Sequence, residues 1–98
     1  RAVAEGNAIR VSVPAPSADR RKQLVTQVKK MAEESKVVIR NERRDANKAV
    51  DGLLADKKAG VTEDQAEKAK ESVDELTKQY TAKVDALLEK KVAEIEEI

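Results

Sequence analysis

The sequence predicts an all-α fold, a long antiparallel helical hairpin preceded by a short extended segment. Three observations predict it. Charged residues make up 40% of the 98-residue chain and aromatic ones 1%, with Tyr80 the single ring. That charge-rich, aliphatic mixture suits long helices and not a sandwich or an open sheet. Two long stretches repeat apolar residues at alternating steps of three and four, the seam of coiled-coil-like helices. A short connection around Gly60 joins them, so the second helix must fold back antiparallel to the first.

The chain reads as two parts: an extended stump with a proline elbow at 1–16, and the hairpin domain at 17–98. "AIRVSVP" (Ala8 to Pro14) alternates apolar and polar residues and reads as one short strand, which needs partners lost or borrowed. Pro14 and Pro16 forbid helix across them. Ser17 is then suited to N-cap the first helix, with Asp19 near the positive end of its dipole. The first residue is Arg1, as expected of a processed chain or of a piece cut from a longer one.

The first helix is expected over about 18–58. Its seam is Leu24, Val28, Met31, Ser35, Val38, Ala46, Ala49 and Leu53, with Glu42 filling the one polar gap. Gly52 inside it costs about 1 kcal/mol relative to alanine, and Gly60 ends it. "TEDQ" (Thr62 to Gln65) forms a capping box for the second helix, expected over about 63–97. Its seam is Ala66, Ala69, Val73, Leu76, Tyr80, Val84, Leu87 or Leu88, Val92 and Ile95, which places Tyr80 in the core. In the antiparallel register, residue i faces roughly residue 119 − i. Glu42 then falls near Thr77 and Lys78, so Lys78 should reach it or Glu42 should lie at the seam's wet edge. One seam is marginal for a domain of this size. The hairpin is therefore part of a three-helix bundle or is completed by self-association, for which a homodimer through the exposed apolar seam is the simplest form.

Charge is unevenly spread. Residues 1–50 hold twelve Lys/Arg against six Asp/Glu, and residues 51–98 hold eight against thirteen. The two halves either attract one another or leave the basic half for an anionic partner. There is no cysteine and no histidine, which excludes disulfides, thiolate chemistry and zinc sites. Carboxylate pairs such as Glu33 and Glu34 are adjacent on a helix and point apart. Asp51 and Asp56 lack a third ligand at metal spacing. Neither an enzyme nor a metal or other cofactor is expected. No apolar run approaches a membrane span, and no signal peptide is visible.

The informative stretch is "VVIRNERRDAN", Val37 to Asn47, with Arg40, Arg43 and Arg44 close together. At about 100° per residue, Lys22, Lys29, Lys36, Arg40, Arg43 and Asn47 cluster about 130° from the seam, with Arg44 at the edge. Glu33 is the acidic exception on this stripe of roughly 30 Å. Ordinary wet faces mix signs. Arginine's planar fork takes phosphate bidentately and stacks on bases, so the stripe fits the backbone of folded RNA. Basic helix faces also dock acidic proteins or lipid headgroups; the lipid form is weak here, since the opposite face lacks bulky aromatics.

"IRVSVPAPSADRRKQL" (Ile9 to Leu24) followed by "VIRNERRDAN" (Val38 to Asn47) resembles the ribosome recycling factor family. There an Ile-Arg-Val-x-Val-Pro strand exit leads through Thr/Ser-x-Asp/Glu-Arg-Arg-Lys to Arg-Asn-x-Arg-Arg-Asp/Lys. The spacing from Arg21 to Arg40 matches without a gap. The resemblance implies helices two and three of a three-helix bundle, without the family's N-terminal helix and most of its β-domain. It implies a translation factor that recycles ribosomes after termination, binding large-subunit ribosomal RNA and working with elongation factor G. Carried over residue by residue, Arg21, Arg40 and Arg43 match the family's RNA-contacting arginines. Arg44 accompanies them, and Lys36 lies on the same stripe. Glu42 stands where the family usually has an apolar residue. The implied place is the bacterial cytoplasm, or the matrix or stroma of an organelle. The alternatives are an oligomerising hairpin without recycling activity, and a binder of some other RNA or acidic protein.

Overall fold

The structure, a computed structural model, describes the backbone of residues 2–5 and 8–11 and residues 17–97 in full. The N-terminal part is a two-stranded antiparallel hairpin, β1 (Ala2–Glu5) with β2 (Ala8–Val11), in the register Ala2 opposite Val11 and Glu5 opposite Ala8. The expected lone strand therefore has its partner in the residues just before it. Pairing gives backbone N–H and C=O groups the partners that a single strand would lack. The proline elbow lies outside the described residues.

Helix α1 spans Ala18–Ala55, 38 residues and about 57 Å. Ser17 caps it: its Oγ accepts from the Arg20 N–H at 3.1 Å, with Asp19 in the first turn. The helix stops three residues short of the expected Lys58, and Gly60 is not what stops it. Asp56 does so, since its Oδ1 accepts from the Lys58 N–H and its carbonyl from the Ala59 N–H, both at 3.0 Å. A short polar side chain that captures nearby backbone competes with the helix in this way. Gly60, at φ +67°, then reverses the chain in a conformation that glycine adopts without strain.

Helix α2 spans Glu63–Glu96 and opens on the expected capping box. The Gln65 N–H donates to Thr62 Oγ1 at 3.1 Å, and the Thr62 N–H donates to Gln65 Oε1 at 3.0 Å. The two helices run antiparallel, and three ion pairs between them, Lys36–Asp85, Arg43–Asp74 and Asp51–Lys70, each fall within two residues of the expected register.

Packing departs from the expected seams in an orderly way. The residues turned toward α2 are Val25, Val28, Ala32, Ile39, Ala46 and Val50. Their counterparts on α2 are Ala66, Val73, Thr77, Val84, Leu88 and Ile95. Thr77 is satisfied there by donating to the Val73 carbonyl at 2.8 Å. Met31, Val38 and Leu53 of α1 and Leu76, Tyr80 and Leu87 of α2, all expected in the seam, remain 51–65% exposed. Each apolar stripe is wider than one neighbouring helix covers. The partner takes one side of the stripe, and the other side is left as a groove along one broad face of the hairpin. Tyr80 is thus not a core residue: it stands in the groove, with the Lys83 ammonium 4.7 Å from its ring centre. Glu42 lies exposed and lines the groove beside Leu76, Thr77 and Tyr80. Among the described residues it makes no ion pair with Lys78, so it takes the wet-edge position.

Candidate nucleic-acid interface

The basic stripe lies on the broad face opposite the groove. This follows from the 100° step: Lys29 and Arg40 sit about 60–80° to one side of the α2-facing line through Ala32, and Met31 and Val38 about 100–120° to the other. At its middle, Arg40, Arg43, Arg44, Asn47, Lys48 and Asp51 line a shallow cradle over about three turns of α1. Four cations within nine residues are held close by helical geometry alone.

The stripe is not a uniform row of free cations. Arg40 and Arg44 are exposed and make no ion pair among the described residues. Arg43 is half-exposed, and its Nε lies 3.5 Å from Asp74 Oδ1 on α2. Lys36 is drawn furthest inward. It pairs with Asp85 across the helices and with Glu33 at 3.6 Å along its own, and its side chain is 22% exposed. Its ammonium is held above the ordinary lysine pKa chiefly by the hydrogen bond to Asp85. Arg21 is half-buried, about 28 Å from Arg40 along the helix, in a depression that Glu96 also lines. The structure therefore gathers Arg40, Arg43 and Arg44 into one cradle, draws Lys36 toward α2, and leaves Arg21 apart.

Residues that the wheel of α1 does not single out complete the cradle. Lys48 extends it toward the hairpin tip. Asp51 adds a second acidic exception beside Glu33, and pairs with Lys70 at 2.5 Å. Asn47, which the wheel does place on the stripe, has its Oδ1 buried there without a hydrogen-bond partner among the described residues, an acceptor held at the cost of its lost hydration. Asp74 and Asp85 could not be found from α1, because they belong to the facing helix. The charge split between the halves was their only signal.

Among the described residues, no cluster of three acidic, histidine or cysteine residues is placed to hold a metal. None of the described helices is long and apolar enough to cross a membrane. What the cradle offers is exposed guanidinium on a rigid rod, a surface suited to charge-assisted contacts with phosphate.

Comparison with known proteins identifies the family. The sequence matches the family model described as "Ribosome recycling factor" over residues 1–95. It is 45% identical over 94 residues to the ribosome-recycling factor of Bacillus subtilis (strain 168), covering 96% of this chain and 50% of that protein. It is 45% identical over 96 residues to that of Halorhodospira halophila, covering 98% and 51%. For that of Clostridioides difficile (strain 630) the identity is 44% over 94 residues, covering 96% and 50%. The chain spans about half the length of these curated relatives. Matched along nearly its whole length, the chain belongs to the ribosome recycling factor family.

Proposed function

We propose that this chain binds large-subunit ribosomal RNA through the basic face of α1, as a translation factor in ribosome recycling after termination. The activity is binding, not catalysis. By resemblance to the family, elongation factor G is its working partner and the bacterial cytoplasm, or an organelle's matrix or stroma, its place. One observation carries the reading: Arg40 and Arg44 are exposed and without an ion-pair partner among the described residues, beside the half-exposed Arg43. The Arg40 and Arg44 guanidinium groups have no use in the hairpin's own packing, whereas phosphate takes such groups in pairs of hydrogen bonds.

A ribosome-pelleting titration at two salt concentrations tests it. Arg43→Ala should weaken binding by about 1–3 kcal/mol, the scale of a charge-assisted contact. Arg43→Lys should recover part of that loss, since a point charge lacks the fork. Affinity should fall steeply with salt, as phosphate contacts require. Equal binding by all three forms would sink the proposal.

The second reading, a hairpin that keeps the sequence but not the recycling role, draws on the pairs Arg43–Asp74 and Lys36–Asp85. These make two of the basic residues part of the fold. If Arg43→Ala unfolds the chain, the structural reading wins. Self-association through the groove is compatible with both, with Arg43 alone of the three arginines also lining the groove.

A further inference from the structure

The basic stripe of α1 shares its broad face with an acidic stripe of α2. Measured from the line through Ala66 that faces α1, the 100° step turns Glu63, Glu67, Glu71, Asp74, Asp85, Glu89 and Glu96 onto this face, against Lys70 and Lys78. Lys70 is taken up by Asp51, so Lys78 is the remaining cation of the α2 half. On the α1 half, Lys22, Lys29, Lys36, Arg40 and Arg44 stand against Asp19, Glu33 and Asp51, with Arg43 nearer the seam. The sign of the face thus reverses from one helix to the other. Solubility asks only for a mixed surface and does not need this sorting.

The two halves are close enough to act on one another. Packed helix axes lie about 8–10 Å apart, about one Debye length at physiological salt. Two of the α2 carboxylates reach across the seam, Asp74 to Arg43 at 3.5 Å and Asp85 to Lys36. In the antiparallel register, Glu67, Glu71 and Asp74 run at steps of four and three beside the cradle that Arg40, Arg44 and Lys48 line. All three are exposed, and Glu67 and Glu71 make no ion pair among the described residues. Those two add little to the hairpin's own hold, yet they stand where a second row of phosphates would lie.

We infer that Glu67, Glu71 and Asp74 are specificity-determining residues for RNA binding: they bar phosphate from the α2 half of the face and confine an RNA backbone to a single track along α1. The inference rests on the reading of the α1 face as RNA-binding. A polyanion held by charge alone approaches in every orientation, and many of these lay phosphates over both helices. The carboxylates oppose those orientations. An RNA whose folded shape sets its phosphates over Arg40 and Arg44 keeps the attraction and avoids the repulsion. Discrimination obtained by repelling the wrong partner needs no further contact with the right one. The rival use of such a row, docking a basic protein segment of the ribosome, gives the opposite sign in the test below.

The test measures affinity for ribosomes by pelleting, and for a short RNA duplex of arbitrary sequence by fluorescence anisotropy, at two salt concentrations. It compares the unaltered chain with a neutralised form, Glu67→Gln with Glu71→Gln and Asp74→Asn, and with a charge-keeping form, Glu67→Asp with Glu71→Asp and Asp74→Glu. The neutralised form should bind the duplex roughly tenfold tighter at low salt, with the gain shrinking as salt shortens the Debye length. Its ribosome affinity should stay within about threefold of the unaltered chain's. The charge-keeping form should bind both as the unaltered chain does, which a role for side-chain shape would not allow. Equal gains for ribosome and duplex, or no gain for the duplex, overturn the inference. A loss of ribosome binding overturns it in favour of a basic protein partner. Circular dichroism checks that helicity is kept. If the neutralised form does not fold, Glu67→Gln with Glu71→Gln leaves the Asp74–Arg43 pair in place and should give part of the same duplex gain. If the unaltered chain binds no ribosomes, the RNA-binding reading falls, while the duplex measurement still decides what the carboxylates do.

Discussion

The two broad faces of the hairpin are cut from the same two helices and ask for opposite things. One presents Met31, Val38, Leu76, Tyr80 and Leu87 to solvent, and the other presents Arg40 and Arg44. Residues three or four apart stay together on a face, while a shift of one or two sends a side chain across it. Val38 and Arg40 are two positions apart and lie on opposite faces. The apolar face costs free energy for as long as it stays wet. The basic face costs little in water and favours any phosphate that reaches it. Substitutions on the first should therefore register in stability and assembly, and substitutions on the second in binding.

The widest separation is expected at Leu87. It is 65% exposed in the hairpin, so Leu87→Asp should change stability by less than about 0.5 kcal/mol if the groove stays open. If the groove is covered, the same change buries an unpaired carboxylate and removes a leucine contact, and should cost about 3 kcal/mol or more. Chemical denaturation at two protein concentrations distinguishes these outcomes. Ribosome affinity of the folded protein should not move.

Next comes Arg40→Ala on the other face. The expected loss is about 1–3 kcal/mol of ribosome binding, with the melting temperature unchanged, since an exposed arginine contributes well under about 1 kcal/mol to stability. A fall in melting temperature without a binding defect would erase the division between the faces.

Gly52→Ala is a smaller test near the hairpin tip. A Cβ there meets nothing within 4 Å, so alanine should stabilise the protein by about 1 kcal/mol through helix propensity. A loss instead of a gain, in thermal unfolding, would place a neighbour over that edge of α1.

The smallest effect concerns Lys36. Its pKa is raised above 10.5, chiefly by the hydrogen bond to Asp85. A raised lysine contributes stability that is fully present below its unfolded value and is lost as pH rises through the folded one. Stability should therefore fall slightly above pH 10.5, and Asp85→Asn should remove that part of the pH dependence. A melting series across the alkaline range checks it. An unchanged slope in the variant would show that Asp85 is not what holds Lys36.

The sequence by itself determined the parts that depend on neighbours along the chain. Ser17 and the Thr62–Gln65 box place the helix starts, because caps act over three residues. The short connection sets the antiparallel register. The 100° step groups Arg40 and Arg44 and separates them from the apolar stripe, with Arg43 between the two. Tertiary structure decided what depends on a facing element. It chose Ala32 and Ile39 over Met31 and Val38 as the packed side of α1, because a stripe wide enough for two partners does not say which side the first will take. It set Asp74 beside Arg43 and Asp85 beside Lys36, so two residues that look alike on a wheel with Arg40 became partly structural. It paired β2 with β1, where the pattern of Ala8 to Pro14 alone named no partner. Spacing along a helix fixes direction, and only the element opposite decides whether that direction is core, ion pair or open water.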